Sequence, residues 1–170
     1  MKLEEKIRNV PDFPKKGIIF RDVTPLLKDP TAFKHVIDLL TERYRDKGIE
    51  VVVAVESRGF IIAAPLAYNL GVAFVLGRKE GKLPAECVNA QYSLEYGFDS
   101  LEMHKDDILP GQKILIVDDL LATGGTVAAT LQMVEKLGGE VIGIAFLIEL
   151  TSLNGRQKCK DYPVMSLIQY

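Results

Sequence analysis

The stretch Lys113–Thr126, KILIVDDLLATGGT, constrains this chain more than any other. A short apolar run ends in two adjacent acids, passes through a small Thr/Gly turn and enters a helical pattern. Ile114–Val117 is rich in β-branched residues and shows no alternation, which predicts a strand buried on both faces. From Thr126 the sequence VAATLQMVEKLGG predicts a helix closed by Gly138 and Gly139. Between them, Ala122–Thr126 offers small residues, two hydroxyls and the unpaired N–H groups of a helix start. Such a turn attracts anions, because the first N–H groups of a helix lack internal partners and the dipole favours negative charge. Asp118 and Asp119 would repel a bare phosphate. A sugar diol or a metal-bound phosphate suits them better, so the unit as a whole predicts a sugar phosphate.

The same strand–turn–helix logic recurs. Val51–Val55 predicts a buried strand, followed by the turn ESRG and a helix from about Phe60 to Leu70, which Gly71 ends. Val72–Leu76 predicts another strand. Thr31–Lys47 carries Phe33, Val36, Ile37, Leu40 and Tyr44 at helical spacing. Val141–Leu150 and Val164–Ile168 predict the last strands. At the N-terminus, Leu3, Ile7 and Val10 fit one face of a short helix ended by Pro11, and Asp12–Pro25 reads as a loop with a short strand. Buried strands alternating with helices predict an α/β fold, an open and mostly parallel sheet flanked by helices. The pattern breaks over Arg78–Pro110, where short strands around Ala90–Tyr96 and Ser100–Met103 are expected. An interruption of that length inside a compact domain is often a lid.

With 170 residues the chain is expected to form one domain. A net charge of −2 with no basic run argues against nucleic acid as a partner. No apolar stretch nears the roughly 20 residues that span a membrane. The charged start MKLEEKIRNV has no signal-like apolar core, and Cys87 and Cys159 lack metal-ligand spacing. A cytoplasmic protein with free thiols is the expectation.

VDDLLATGGT resembles the phosphoribosyl-pyrophosphate (PRPP) signature of the type I phosphoribosyltransferases. The resemblance runs through nearly the whole chain, in order, in Gly17–Leu27 (GIIFRDVTPLL), Glu56–Phe60 (ESRGF), Arg78–Pro84 (RKEGKLP), Tyr92–Gly97 (YSLEYG) and Glu149–Gly155 (ELTSLNG). FRDVTPLL together with YSLEYG narrows it to the branch of that family that uses adenine. The resemblance implies a small hood over the sheet, a base-binding segment at about residues 1–30 and a mobile lid at about 78–110. It also implies transfer of phosphoribosyl from Mg²⁺–PRPP to N9 of adenine, giving AMP and pyrophosphate, in a homodimer.

The family's site residues carry over position by position. Asp118 and Asp119 would bind the ribose hydroxyls, directly or through Mg²⁺ and water, the ion itself being held mainly by PRPP. Ala122, Thr123, Gly124, Gly125 and Thr126 would hold the 5′-phosphate. Arg58 would contact the leaving pyrophosphate, with Arg78 and Lys79 as further PRPP contacts that can reach across a dimer interface. Family members often hold a cis peptide in the ESRG turn. Glu95 and Tyr96 would sit on the lid, with Glu95 placed to accept or steer the N9 proton. Ile19, Phe20 and Arg21 would form the base pocket, Phe20 stacking on the purine.

Plainer readings stand beside these. Asp118–Asp119 in isolation would be a polar strand end, and Ala122–Thr126 an ordinary cap. Arg78, Lys79 and Lys82 could be a solvated loop, Arg21 could pair with Asp22, and Glu149 could be a strand-end acid or a support for the base site. His35 and His104 carry no assigned role. The nearest rival function is the same transfer to an oxo-purine, whose hydrogen-bond polarity at position 6 is reversed. A PRPP-sensing regulator would want a DNA-binding module or a basic face, and neither is legible.

Overall fold

The computed structural model describes residues 1–93 and 97–170. The chain forms two compact units, Met1–Leu39 and Leu40–Tyr170.

The first unit opens with a single 3₁₀ turn, Leu3–Lys6, and a two-stranded antiparallel ribbon of β1 (Arg8–Pro11) and β2 (Ile19–Asp22). The short helix expected to run through Val10 is therefore replaced by a strand after its first turn. Val10 lies opposite Phe20 in the ladder, and Arg8 opposite Asp22. Apolar spacing over so few residues does not separate helix from strand, and the pairing partner decides. The Phe13–Pro14 peptide in the connecting loop is cis. Helix α1 (Thr24–Lys28) follows, then α2 (Pro30–Tyr44), on which Asp29 accepts the N–H groups of Thr31 and Ala32 as a cap.

The second unit is built on a seven-stranded sheet. Its strands are β3 (Val51–Val55), β4 (Ala73–Lys79), β5 (Cys87–Ser93), β6 (Phe98–His104), β7 (Lys113–Leu121), β8 (Glu140–Glu149) and β9 (Val164–Gln169). They lie in the order β5-β6-β4-β3-β7-β8-β9. The five from β4 to β9 are parallel to one another, and β6 and β5 add an antiparallel hairpin at one edge. The architecture is the expected α/β one. The irregular segment after Arg78 is, in its described part, this hairpin, which extends the main sheet.

Every residue of β3 is buried, and β7 is buried from Ile114 to Val117, as unalternated parallel strands require. Val51, Val53, Val55, Ile114 and Ile116 share one apolar core with Val127, Leu131, Met133 and Val134 of helix α4 (Gly125–Lys136). Helix α3 (Arg58–Leu70) packs against β3 and β7, burying Ile62, Ala63, Leu66 and Ala67. Each fully buried Leu, Ile or Phe contributes about 1.5–3 kcal/mol by leaving water. In open α/β sheets of this kind ligands bind outside the C-terminal ends of the strands.

Glu149 closes the C-terminal end of β8. Its side chain is almost wholly buried yet fully paired. Arg156 donates to it through Nε at 2.6 Å and through Nη2 at 2.7 Å, and Ser166 donates at 2.7 Å. Arg156 also donates to the Val164 carbonyl on β9 at 3.1 Å, so the carboxylate ties β8 to β9. The Arg156 hydrogen bonds lower the Glu149 pKa, against the opposing effect of burial. A depressed carboxyl contributes stability above its unfolded pKa and loses it as the pH falls through the folded value. Removing one partner of a fully buried pair costs about 3–5 kcal/mol. Arg156 keeps 39% of its side chain exposed, so solvent screens part of that and about 2 kcal/mol is expected for Arg156→Met. Thermal melts should show this deficit at neutral pH and a narrowing gap below the ordinary glutamate range. A gap independent of pH would remove the ion pair as its cause.

Candidate active site

A cleft of about 420 Å³ opens at the C-terminal ends of β3 and β7. Five pieces of chain build it. Val55–Arg58 leaves β3 and turns into α3, Asp118–Leu120 ends β7, Ala122 and Thr126 bracket the turn into α4, and Lys79 and Tyr92 come from β4 and β5.

The acids lie inside β7, one turn of pleat earlier than a loop position. Asp119 is 7% exposed and pairs with Arg58 Nε at 2.6 Å through Oδ2. Its backbone N–H donates to Asp118 Oδ1 at 2.9 Å. Burial, and next the neighbouring Asp119 charge, push the Asp118 carboxyl well above the ordinary aspartate range. Gly59, the second residue of α3, lies so close that a Cβ there would stand 2.7 Å from Asp118 Oδ1. The ESRG turn is thereby pressed against the acid pair, and its Glu56–Ser57 peptide is cis.

Glu56 gathers groups from the end of β4 and from the loop just beyond it. Its carboxylate accepts the backbone N–H of Lys79 at 2.7 Å, Arg78 Nε at 3.3 Å and Lys82 Nζ at 2.8 Å. Burial raises its pKa, but the Lys82 and Lys79 hydrogen bonds outweigh that and the net shift is downward. Glu102 does the same for the following loop. It accepts the backbone N–H groups of Lys82 at 2.9 Å and Leu83 at 2.7 Å. Arg78 and Lys79 therefore end a strand, and the loop after them is anchored at Lys82 and Leu83.

Helix α4 begins at Gly125 with Gly124 as its cap residue, at φ 79° and without a side-chain cap. Gly124 and Gly125 are buried, Thr123 is exposed and Thr126 faces the cleft. Gly155 backs the turn. A Cβ on it would lie 2.3 Å from the Ala122 carbonyl oxygen, and one on Gly124 would lie 2.6 Å from the Gly155 carbonyl oxygen. Backbone meets backbone here, which only glycine permits.

Of the sequence-predicted residues, Arg58, Lys79, Asp118, Asp119, Ala122 and Thr126 share this cleft. Gly124 and Gly125 shape its turn from behind. Arg78 is drawn to Glu56 and does not line it. Glu95 and Tyr96 lie outside the described residues. Ile19, Phe20 and Arg21 belong to the first unit. There Ile19 is 50% exposed, the Phe20 ring stands edge-on to Phe13 at 5.2 Å, and Arg21 donates to Asn9. Glu149 and Gly155 sit in the motif ELTSLNG, whose resemblance marks the segment without saying what each residue does. Tyr92, Glu56 and Ser57 also line the cleft and lie in quoted motifs, but nothing local to the sequence singles them out.

The family model described as the phosphoribosyl transferase domain matches residues 22–169. The adenine phosphoribosyltransferase of Clostridium tetani is 55% identical over 170 residues, covering 100% of this chain and 99% of that protein. The crystal structure of adenine phosphoribosyltransferase from Thermoanaerobacter pseudethanolicus superimposes with a TM-score of 0.96 at 54% identity, over 99% of this chain and 98% of that one. The Saccharomyces cerevisiae enzyme, complexed with adenine and an imino-altritol bisphosphate, superimposes with a TM-score of 0.92 at 41% identity, over 98% of this chain and 96% of that one. A cleft of this make-up at the strand ends, on a fold and sequence shared end to end with these proteins, leaves one assignment: the chain belongs to the phosphoribosyl transferase family, in its adenine phosphoribosyltransferase branch.

Proposed function

We infer that the protein transfers the phosphoribosyl group of Mg²⁺-bound PRPP to N9 of adenine, releasing AMP and pyrophosphate in purine salvage. The observation that carries this is the cleft itself. It gathers two cations, Arg58 and Lys79, with an acid pair and an uncapped helix N-terminus, in a chain related over its full length to adenine phosphoribosyltransferases.

In this reading the N–H groups of the Ala122–Thr126 turn and the Thr126 hydroxyl hold the 5′-phosphate. Asp118 and Asp119 receive the ribose hydroxyls. Arg58 and Lys79 receive the pyrophosphate, whose charge grows as the bond to the anomeric carbon breaks, so their effect is greatest in the transition state. Arg58 reaches this role from its pair with Asp119, and substrate must share or replace that contact. Holding the phosphate at one end and the leaving group at the other orients the anomeric carbon toward adenine. The N9 proton passes in this reading to Glu95, which with Tyr96 lies outside the described residues. Ile19, Phe20 and Arg21 read the base.

Mg²⁺ fits this donor set. The acid pair supplies hard oxygen ligands, and Mg²⁺ is ordinarily held by one or two carboxylates plus substrate phosphates and water. Among the described residues the one group of three metal-capable side chains is His104, Asp106 and Asp107, none of which lines the cleft. The ion would thus be held mainly by PRPP, near Asp118 and Asp119, and would neutralise the leaving group's charge. A homodimer completes the reading. Helix α3 exposes Ile61, 42% accessible, and Tyr68, 86% accessible, one heptad apart on an apolar helix. A cytoplasmic setting agrees with two free cysteines and with the absence, among the described residues, of any helix long and apolar enough to cross a membrane.

The test is pyrophosphate release with Mg²⁺–PRPP and each of adenine, hypoxanthine, guanine and xanthine. Adenine should be preferred by at least about 10³-fold in kcat/KM, because a site built for one hydrogen-bond polarity leaves groups unpaired with the other. Turnover with an oxo-purine would overturn the base assignment and keep the chemistry. PRPP binding without turnover on any base would move the protein to the regulators.

A further inference from the structure

Lys79 is the last residue of β4, and its side chain lines the cleft. It is held at both ends. Its backbone N–H donates to Glu56 Oε1 at 2.7 Å. Its ammonium is ion-paired with Asp99 and lies 3.3 Å from the Tyr92 hydroxyl. That hydroxyl in turn donates to Asp99 Oδ2 at 3.0 Å. Asp99 and Tyr92 are direct cross-strand partners in the β5–β6 hairpin, so the ladder itself sets their spacing. The other Asp99 oxygen accepts the N–H of Ser100 at 2.9 Å, which fixes the carboxylate's orientation. Tyr92 is fixed independently. A Cβ on Gly125, the first residue of α4, would lie 3.1 Å from Tyr92 Cδ2, so the ring packs on the helix end of the phosphate turn.

A lysine ammonium is a point charge on a flexible four-carbon stem. Left free in a solvent-open cleft, it would have to be ordered by the leaving group during the reaction. Asp99 and Tyr92 order it beforehand, from a hairpin that also touches the phosphate turn. Pre-ordering is where a binding group gains most, since the cost of immobilising it is met before the transition state.

We propose that Asp99 is a positioning residue for the transfer, acting through Lys79, and that it presents the ammonium to the departing pyrophosphate in register with the phosphate turn. The proposal rests on the reading of Lys79 as a leaving-group contact. Asp99 carries no proton in the reaction and touches no substrate. Because leaving-group charge grows toward the transition state, loss of Asp99 falls on kcat more than on KM for PRPP.

Asp99→Asn keeps the shape and the acceptor for Ser100 and removes the charge that holds Lys79. It should lower kcat roughly tenfold, the scale expected when a catalytic group is misplaced by a fraction of an ångström, and change KM for PRPP by less than about threefold. Asp99→Glu should recover part of the loss. Lys79→Met should lower kcat at least as far, and the double variant Lys79→Met/Asp99→Asn should be no slower than Lys79→Met alone. Thermal melts of the four proteins accompany the kinetics. Independent, multiplying losses in the double variant would overturn the proposal, and so would a native kcat in Asp99→Asn beside a slow Lys79→Met. A native kcat in Lys79→Met would overturn the leaving-group reading together with the proposal, and the base panel would still report on the reaction itself.

Discussion

Gly155→Ala should abolish most PRPP turnover while leaving the sheet folded. The new Cβ would stand 2.3 Å from the Ala122 carbonyl oxygen, 3.0 Å from Leu121 Cδ1 and 3.1 Å from the Gly124 nitrogen. Two of those three atoms are backbone of the phosphate turn and cannot swing aside as the end of a side chain can. The turn must therefore move by about 1 Å to restore ordinary contact. It has little freedom to do so, because Gly124 sits at φ 79° with its own Cα side pressed on the Gly155 carbonyl. A misplacement of about 1 Å in a group that orients the substrate costs on the order of 10²-fold in rate. Steady-state kinetics should show kcat/KM for PRPP reduced by at least that much.

A control separates this collision from a general cost of losing glycine. Gly71 closes helix α3 at φ 68°, and nothing lies within 4 Å of a Cβ placed there. Gly71→Ala bears the left-handed backbone penalty alone, about 1 kcal/mol, and should lower the melting temperature with native PRPP kinetics. Equal kinetic losses in the two variants would mean that the approach of Gly155 to the phosphate turn is immaterial.

What was legible in the sequence follows from how local each feature is. Strand β7, its acids and the turn into α4 form one continuous stretch, and their order along the chain is their order in space. Arg58 was readable for the same reason, being the first cation beyond a buried strand. Strand β7 nevertheless runs on through both acids to Leu121, further than its apolar run suggests, because pairing with β8 continues as far as Glu149. Features set by distant partners were not readable. Leu3, Ile7 and Val10 look helical by spacing, and the chain from Arg8 becomes a strand because Ile19–Asp22 returns alongside it. Glu56 meets Arg78, 22 residues away, and Lys79 meets Asp99, 20 residues away. Gly155 is silent until Ala122 is seen against it. The sequence motif places such residues near a site, and only the contact says what they do.

Asp118→Asn should make the protein more stable and nearly inactive. In the folded chain the Asp118 carboxyl is raised well above its ordinary value, first by burial and then by the charge of Asp119 beside it. Its ionisation is therefore unfavourable to folding, the reverse of a paired surface acid. Asparagine keeps an oxygen for the Asp119 N–H, which Asp118 Oδ1 accepts at 2.9 Å, and removes the charge. The sign with pH follows. In acid Asp118 is protonated in both folded and unfolded chains, so the variant gains nothing. As the pH rises through the ordinary aspartate range the unfolded chain ionises and the folded one resists, and the variant's advantage grows until the folded carboxyl also ionises. Paired melts from about pH 4 to about pH 8 should show an advantage that opens over this range. At its top it should reach about 2–4 °C, the shift that roughly 1 kcal/mol gives a chain of this size. Over the same range kcat/KM for PRPP should fall by at least about 10²-fold, because a neutral amide cannot replace a carboxylate facing a sugar diol and a divalent ion. A stability difference that is flat with pH would mean that Asp118 is not held above its ordinary range. A chain that keeps a charge its own fold resists does so for something that binds there, and stability and turnover moving in opposite directions at Asp118 would be the direct measure of that conflict.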